Sequence, residues 1–184
     1  MLNYPVRNPS AGGNPMREIE VKFEVDGFEE IRERLKKLKA KLIWEGNEEN
    51  FYFDFTDRQL RRGGKMLRLR EWKGHSVSVT LKEKILNTSD RYKIRNELEL
   101  EAPDMKTAKA FLGALGLQKT KSYTKYRWHW AVGNAYVELD SLGGRYFVEI
   151  EGTKKKIQHL AKRLGLDWNR ATTESYITLI DRMG

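Results

Sequence analysis

From Met16 onward the chain alternates charged and apolar residues over short stretches, the period-two signature of strands with two unlike faces. The alternation predicts eight strands: Arg17–Val25, Asn50–Thr56, Met66–Trp72, Ser76–Glu83, Lys93–Glu101, Ser122–Val132, Ala135–Asp140 and Arg145–Glu151. A short piece around Leu42–Glu45 is placed to extend the second. Lys73-Gly74-His75, Gly133-Asn134 and Leu142-Gly143-Gly144 fall between neighbouring strands and read as tight hairpin turns, so the sheet should be antiparallel.

Four other segments repeat their apolar residues at helical spacing. Phe28, Ile31, Leu35 and Leu38 form one stripe, with Asp26 and Glu29 reading as a capping box ahead of it. Ala108, Phe111, Leu112 and Leu115 follow Pro103-Asp104 and stop at Gly116. Ile157, Leu160, Ala161 and Leu164 run from Thr153 to Gly165, and Tyr176, Ile177, Leu179 and Ile180 form a last helix from near Thr172. Glu18-Ile19-Glu20, Glu97-Leu98-Glu99 and Glu149-Ile150-Glu151 each lead into one of the first three helices, a recurring strand-then-helix unit.

The strands divide into two sets of positions. One holds Ile19, Val21 and Phe23, Leu67 and Leu69, Leu98 and Leu100, Tyr126 and Trp128, Val137 and Leu139, Val148 and Ile150, and needs cover. The other collects Glu18, Glu20 and Lys22; Arg68 and Arg70; Lys82; Arg95, Glu97 and Glu99; Lys125 and Arg127; Glu138 and Asp140; Glu149 and Glu151. For a single strand the charged face is expected to meet solvent. Across the whole set, four amphipathic helices can cover the apolar faces from outside and leave the charged ones turned inward. The expected fold is therefore α+β: an eight-stranded antiparallel β-barrel with a charged lumen and helices packed outside.

Composition narrows the setting. The 184 residues carry 39% hydrophobic and 33% charged side chains, a net charge of +9 and no cysteine. Thiol nucleophiles, thiolate metal sites and disulfides are excluded, and a cytoplasmic location is the expectation. Residues 1–15 read as a flexible tail, and residues 16–184 as one domain. No apolar run approaches the ~20 residues that span a bilayer. Lys36, Lys37, Lys39 and Lys41 and Lys154–Lys156 lie in or beside helical patterns and read as solvated faces, so the positive charge does not by itself point to nucleic acid.

Charged side chains gathered inside a barrel must meet water, metal or a polyanion, because burying them unpaired costs several kcal/mol each. Lys22, Arg68, Arg70, Lys82, Arg95, Lys125 and Arg127 suit the closely spaced oxygens of a triphosphate. The carboxylates would repel that ligand unless a divalent cation stood between, and an all-oxygen site suits Mg²⁺ or Mn²⁺. Attack by water on the terminal phosphorus gives phosphate and a shortened chain. Attack by a ribose 3′-hydroxyl on the α-phosphorus gives a cyclic nucleotide and pyrophosphate. One cage suits both reactions.

Glu18-Ile19-Glu20-Val21-Lys22 resembles the N-terminal ExExK signature of the CYTH, or triphosphate tunnel metalloenzyme, family of class IV adenylate cyclases, thiamine triphosphatases and inorganic triphosphatases. The resemblance continues in order through Asn50-Phe51-Tyr52-Phe53-Asp54, Leu67-Arg68-Leu69-Arg70, Thr80-Leu81-Lys82, Glu97-Leu98-Glu99, Lys125-Tyr126-Arg127, Leu139-Asp140 and Val148-Glu149-Ile150-Glu151. It implies that Glu18, Glu20, Glu149 and Glu151 bind metal with Glu138 or Asp140 assisting, and that the basic residues grip a small-molecule triphosphate. Lys22 is left between phosphate binding and activation of the attacking group.

The leading expectation is a metal-dependent triphosphatase, monomeric or homodimeric. A class IV-like adenylate cyclase is the alternative, and a non-catalytic polyphosphate or nucleic-acid binder is the alternative of another class. His75, His129 and His159 are scattered and read as structural, although His129 shares the Lys125/Arg127 face. Arg61-Arg62-Gly63-Gly64-Lys65 lacks phosphate-loop spacing and reads as a mobile basic turn near the tunnel mouth. Trp128 and Trp130 read as outer-face packing residues.

Overall fold

The computed structural model describes residues 16–85 and 91–182; the tail expected over residues 1–15 lies outside them. In chain order the elements are β1 (Met16–Val25), α1 (Glu29–Lys37), β2 (Lys41–Asp54), α2 (Gln59–Arg62), β3 (Lys65–Trp72), β4 (Ser76–Lys84), β5 (Lys93–Ala102), α3 (Met105–Ala114), β6 (Gln118–Val132), β7 (Ala135–Leu142), β8 (Arg145–Glu151), α4 (Lys154–Leu164), β9 (Ala171–Thr172) and α5 (Tyr176–Asp181). The strands form one sheet in the order β5-β4-β3-β2-β6-β7-β8-β1-β9, and β5 also pairs with β1. That last pairing closes β1 to β8 into the expected antiparallel barrel, with the short β9 added beside β1.

All eight anticipated strands are present. β2 differs most, beginning at Lys41 and absorbing the Leu42–Glu45 piece. The hairpins follow the glycines: Leu142 pairs with Arg145 around Gly143 (φ 57°) and Gly144 (φ 79°). Two successive left-handed residues match the right-handed twist of the flanking strands, and glycine adopts them without steric cost.

The chain divides into two compact units. One contains β2 from residue 47, α2, β3, β4, β5 from Arg95, α3 and the first half of β6. Its core joins Phe53 and Leu69 to Ala108, Leu112 and Leu117, with α3 lying on the outer face of the strands. Asp104 caps α3 by accepting from the Thr107 amide at 2.7 Å.

The second unit contains β1 from Glu18, α1, β2 up to Gly46, Lys93 and Ile94 of β5, the rest of β6, β7, β8, α4, β9 and α5. Its apolar strand positions Val21, Phe23, Val137, Leu139, Val148 and Ile150 are at most 1% exposed. Helix α4 buries Ile157, Leu160, Ala161 and Leu164, is capped by Thr153, and ends at Gly165 in the left-handed conformation. Removing the Leu160 side chain to its β-carbon should cost ~2–5 kcal/mol. Trp128 packs edge-on to Phe28 at 5.6 Å with Arg32 over its ring at 4.3 Å, an outer-face role as expected.

Two local expectations are corrected. Helix α1 begins after Phe28 with no side-chain cap, because the Asp26 carboxylate is instead held by both terminal nitrogens of Arg170 at 2.9 Å. The Arg61–Lys65 segment is not simply a turn. Asp54 accepts from the amides of Phe55, Leu60 and Arg61, which winds Gln59–Arg62 into one helical turn before Gly63.

Candidate active site

The inner faces follow from register. In the second unit, Lys22 of β1 stands opposite Glu149 of β8, Glu149 opposite Glu138 of β7, and Glu138 opposite His129 of β6. One step to one side, Glu20 stands opposite Glu151; one step to the other, Asp140 lies between Phe147 and Arg127. The alternate spacing that defines a strand face thus brings residues from across the chain into adjacent rows.

Arg127 organises the acids. Its Nε and Nη2 donate to the two oxygens of Asp140 at 2.6 Å each, Nη2 also donates to Glu149 Oε2 at 2.6 Å, and Nη1 lies 3.4 Å from Glu138 Oε1. A planar guanidinium has the donors for this three-carboxylate arrangement and an ammonium does not. Asp140 is fully buried and also accepts from Lys125 Nζ at 2.9 Å and from the Tyr176 hydroxyl at 2.5 Å. Lys22 Nζ lies 2.8 Å from Glu149 Oε1 and donates to the Glu174 carbonyl at 3.0 Å. The Tyr176 ring carries the ammonium groups of both Lys22 and Lys125 at 4.1 Å from its centroid.

Burial opposes ionisation of Glu138, yet Arg127 and His129 outweigh it and bring its carboxyl down to about 2. Glu149 is likewise held well below the usual carboxylate range, burial being overcome by Lys22, Lys125, Arg127 and Lys93. Burial, reinforced by Asp140 and Glu149, keeps the Tyr176 phenol protonated far above its ordinary range. Glu138 and Glu149 are therefore anions at neutral pH, suited to holding cations.

The other unit has its own charged cluster. The rows run Asn50–Arg70–Ser78, Tyr52–Arg68–Thr80–Glu99 and Met66–Lys82–Glu97. Glu99 Oε2 accepts from Arg70 at 3.0 Å and Thr80 at 2.7 Å, and Lys82 lies 3.2 Å from Glu97. Glu48, fully buried, accepts from Trp72 Nε1 at 2.7 Å and Asn50 Nδ2 at 2.9 Å. Burial works against the Arg68 charge, but Tyr52, Glu48 and Glu97 more than restore it.

Every predicted site residue is among those described. Arg68, Arg70, Lys82, Arg95, Glu97 and Glu99 lie in the unit of β3 and β4, and Glu18, Glu20, Lys22, Lys125, Arg127, Glu138, Asp140, Glu149 and Glu151 in that of β7 and β8. Arg95 and Glu151 are half-buried, and Glu18 is 4% exposed. Among the described residues no three His, Asp or Glu side chains are gathered at metal-binding distance; Lys and Arg hold the acids instead. Sequence reasoning missed Glu48, Lys93 and Tyr176 and set His129 aside. Lys93 was signalled by parity, two residues before the inner-face position Arg95, whereas Glu48 precedes the anticipated start of β2 and Tyr176 has a helical spacing that reads only as apolar packing.

The CYTH domain model matches residues 16–182. The chain belongs to the CYTH family. Membership agrees with the resemblance carried by Glu18-Ile19-Glu20-Val21-Lys22 and the motifs after it. This CYTH protein is 26% identical over 175 residues to Methanocaldococcus jannaschii MJ0240, provisionally named an adenylate cyclase, with 89% of this chain and 98% of the relative covered. It is similar to the solved structure of PH1012 from Pyrococcus horikoshii OT3 at 30% identity and TM-score 0.73, covering 88% and 98%. It shares its fold with HpAC1 from Hippeastrum, a provisionally named adenylyl cyclase described as having a dominant triphosphatase activity, at 16% identity and TM-score 0.63, covering 90% and 95%. Among the described residues no helix is long and apolar enough to cross a membrane.

Proposed function

We propose that this CYTH protein hydrolyses an inorganic or organic triphosphate with a divalent cation as cofactor. The observation that carries this reading is the row Lys22–Glu149–Glu138–His129, with Arg127 joining its two acids to Asp140. Cations and ionised carboxylates interleaved at side-chain contact suit a ligand that is itself a complex of polyanion and metal.

The residues fit such a metal. Glu20 faces Glu151 and Glu138 faces Glu149 directly across their ladders, and like charges so placed repel unless a cation lies by them. The donors are all carboxylate oxygens, the set that suits Mg²⁺ or Mn²⁺. Glu18, Glu20, Glu149 and Glu151 would hold the ion, with Glu138 assisting. Asp140 serves as the anchor for Lys125, Arg127 and Tyr176, which already take up its two oxygens. A bound divalent ion would supply neutralisation of charge on the phosphate oxygens.

The chain's own cations do the rest. Lys22, Lys125 and Arg127 of the β7–β8 unit are offered to phosphate oxygens; Arg68, Arg70, Lys82 and Arg95 form a second set of cations within their own unit. Lys22, Arg70, Lys82, Lys125 and Arg127 each already hold a carboxylate. An arriving phosphate exchanges one anion for another, so little further desolvation is required. Water forms the new bond to the terminal phosphorus, the bridging P–O bond breaks, and phosphate and the shortened chain leave. Catalysis rests on positioning and fixed charge.

The name of the Methanocaldococcus relative favours a second reading, cyclisation of ATP. Incubation with tripolyphosphate and with ATP, each with Mg²⁺ or Mn²⁺, tests both: phosphate release supports hydrolysis, whereas cyclic AMP and pyrophosphate support cyclisation. Turnover undiminished in Glu149→Ala/Glu151→Ala would remove the metal assignment.

A further inference from the structure

Three cations of the β7–β8 unit are each held by more than one group. Lys22 is held by Glu149, the Glu174 carbonyl and the Tyr176 ring; Lys125 by Asp140 and the same ring; Arg127 by three acids. Lys93 is different. It is the first residue of β5, the strand that closes the barrel on β1, and its ammonium donates to Glu20 Oε1 at 2.6 Å. Its side chain is 12% exposed. Burial works against its charge, but Glu20, Glu18 and Glu149 outweigh that and strengthen its hold on the proton.

The acids around Lys93 are those assigned above to the divalent ion, and this inference rests on that assignment. Glu20 and Glu151 are directly opposed in register, with Glu149 two residues along β8. Without a cation the buried acids of β1 would be poorly compensated. A lysine is the appropriate temporary occupant: a compact charge on a four-carbon flexible stem, held through one donor, which can withdraw without the rigid fork of an arginine.

We propose that Lys93 is an internal counter-cation for the metal-facing carboxylates, occupying their charge in the metal-free protein and yielding Glu20 when a divalent ion enters. Lys93 therefore lowers metal affinity while stabilising the empty site. It is a positioning residue that makes cation binding an exchange, keeping β1 folded at low metal concentration.

Isothermal titration of the full chain with MnCl₂, paired with thermal melts with and without Mn²⁺, tests this in wild type, Lys93→Met and Lys93→Arg. Loss of the competing charge in Lys93→Met is expected to tighten Mn²⁺ binding by about tenfold. Its metal-free melting temperature should fall, and Mn²⁺ should raise it by more than in wild type. Lys93→Arg keeps the charge and should bind within about twofold of wild type. Mn²⁺ affinity that is equal or weaker in Lys93→Met overturns the proposal, and with an unchanged affinity a higher KM alone would make Lys93 a substrate contact. Heat of binding absent from wild type and Lys93→Met alike would instead remove the metal assignment. Should Lys93→Met not fold, Lys93→Gln is measured in its place, with the same expected sign and the same overturning result.

Discussion

The hydroxyl of Tyr176 and the Oδ2 of Asp140 are 2.5 Å apart, and that oxygen is shared with Lys125 and Arg127. One phenol on the C-terminal helix therefore supports both the acid that anchors two cations and, through its ring, the ammonium groups of Lys22 and Lys125. Tyr176→Phe keeps the ring and removes one donor, an expected loss of ~1–3 kcal/mol. Tyr176→Leu also removes two cation–π contacts, adding ~0.5–2 kcal/mol for each. Urea denaturation of both variants checks the order, and the phosphate-release assay should show Tyr176→Leu with the larger rise in KM.

Arg127 is the residue least open to conservative change. Arg127→Ala leaves Glu138, Asp140 and Glu149 short of a shared cation in a buried site, an expected loss of ~3–5 kcal/mol. Arg127→Lys restores one charge but not the fork, and should recover folding more fully than turnover. Denaturation midpoints and kcat/KM measured on both variants give the comparison. Equal effects of the two on kcat/KM would mean that charge without geometry suffices.

The depressed carboxyl of Glu138 links stability to pH. Its ordinary value is 4.5 and its value in the fold is about 2, so over that interval the unfolded chain binds more protons than the folded one. Stability is then present above about pH 4.5 and is lost as pH falls through about 2. Glu149 acts in the same direction. In metal-free buffer, Glu138→Gln should show a shallower loss of unfolding free energy with acid than wild type, followed by chemical denaturation at stepped pH.

In the β3–β4 unit, Glu48 is enclosed and accepts from Trp72 and Asn50. Glu48→Ala strips an acceptor from both buried donors, at an expected ~1–3 kcal/mol each. Glu48→Gln retains one acceptor oxygen and should be milder. Fluorescence-monitored unfolding, with Trp72 contributing to the signal, distinguishes them.

The strands and their inner faces were legible because charge alternates with apolar residues so strictly in β1, β3, β7 and β8 that parity assigns each side chain. Where the period is broken, legibility ends. Lys41–Glu49 mixes polar residues on both faces, so β2 looked shorter and Glu48 fell outside it. Asp26 looked like a helix cap because local spacing cannot register Arg170, a partner distant in sequence. Tyr176 was legible as a buried residue but not as a site residue, since nothing local to α5 specifies what its hydroxyl meets. Lys93 lay within an anticipated strand on the correct face, yet its pairing with Glu20 depends on β5 meeting β1, a closure that sequence spacing does not reveal.

The β1–β8 pairing also governs how the protein comes off the ribosome. Residues 20–25 pair with residues 146–151, so Glu20 and Lys22 leave the ribosome more than a hundred residues ahead of their ladder partners. Such distant pairing makes folding slow and late. A nascent chain halted before Arg145 should expose β1 as an unpaired edge to protease or chaperone, and lengthening it past Glu151 should abruptly protect the segment that begins the chain's chemistry.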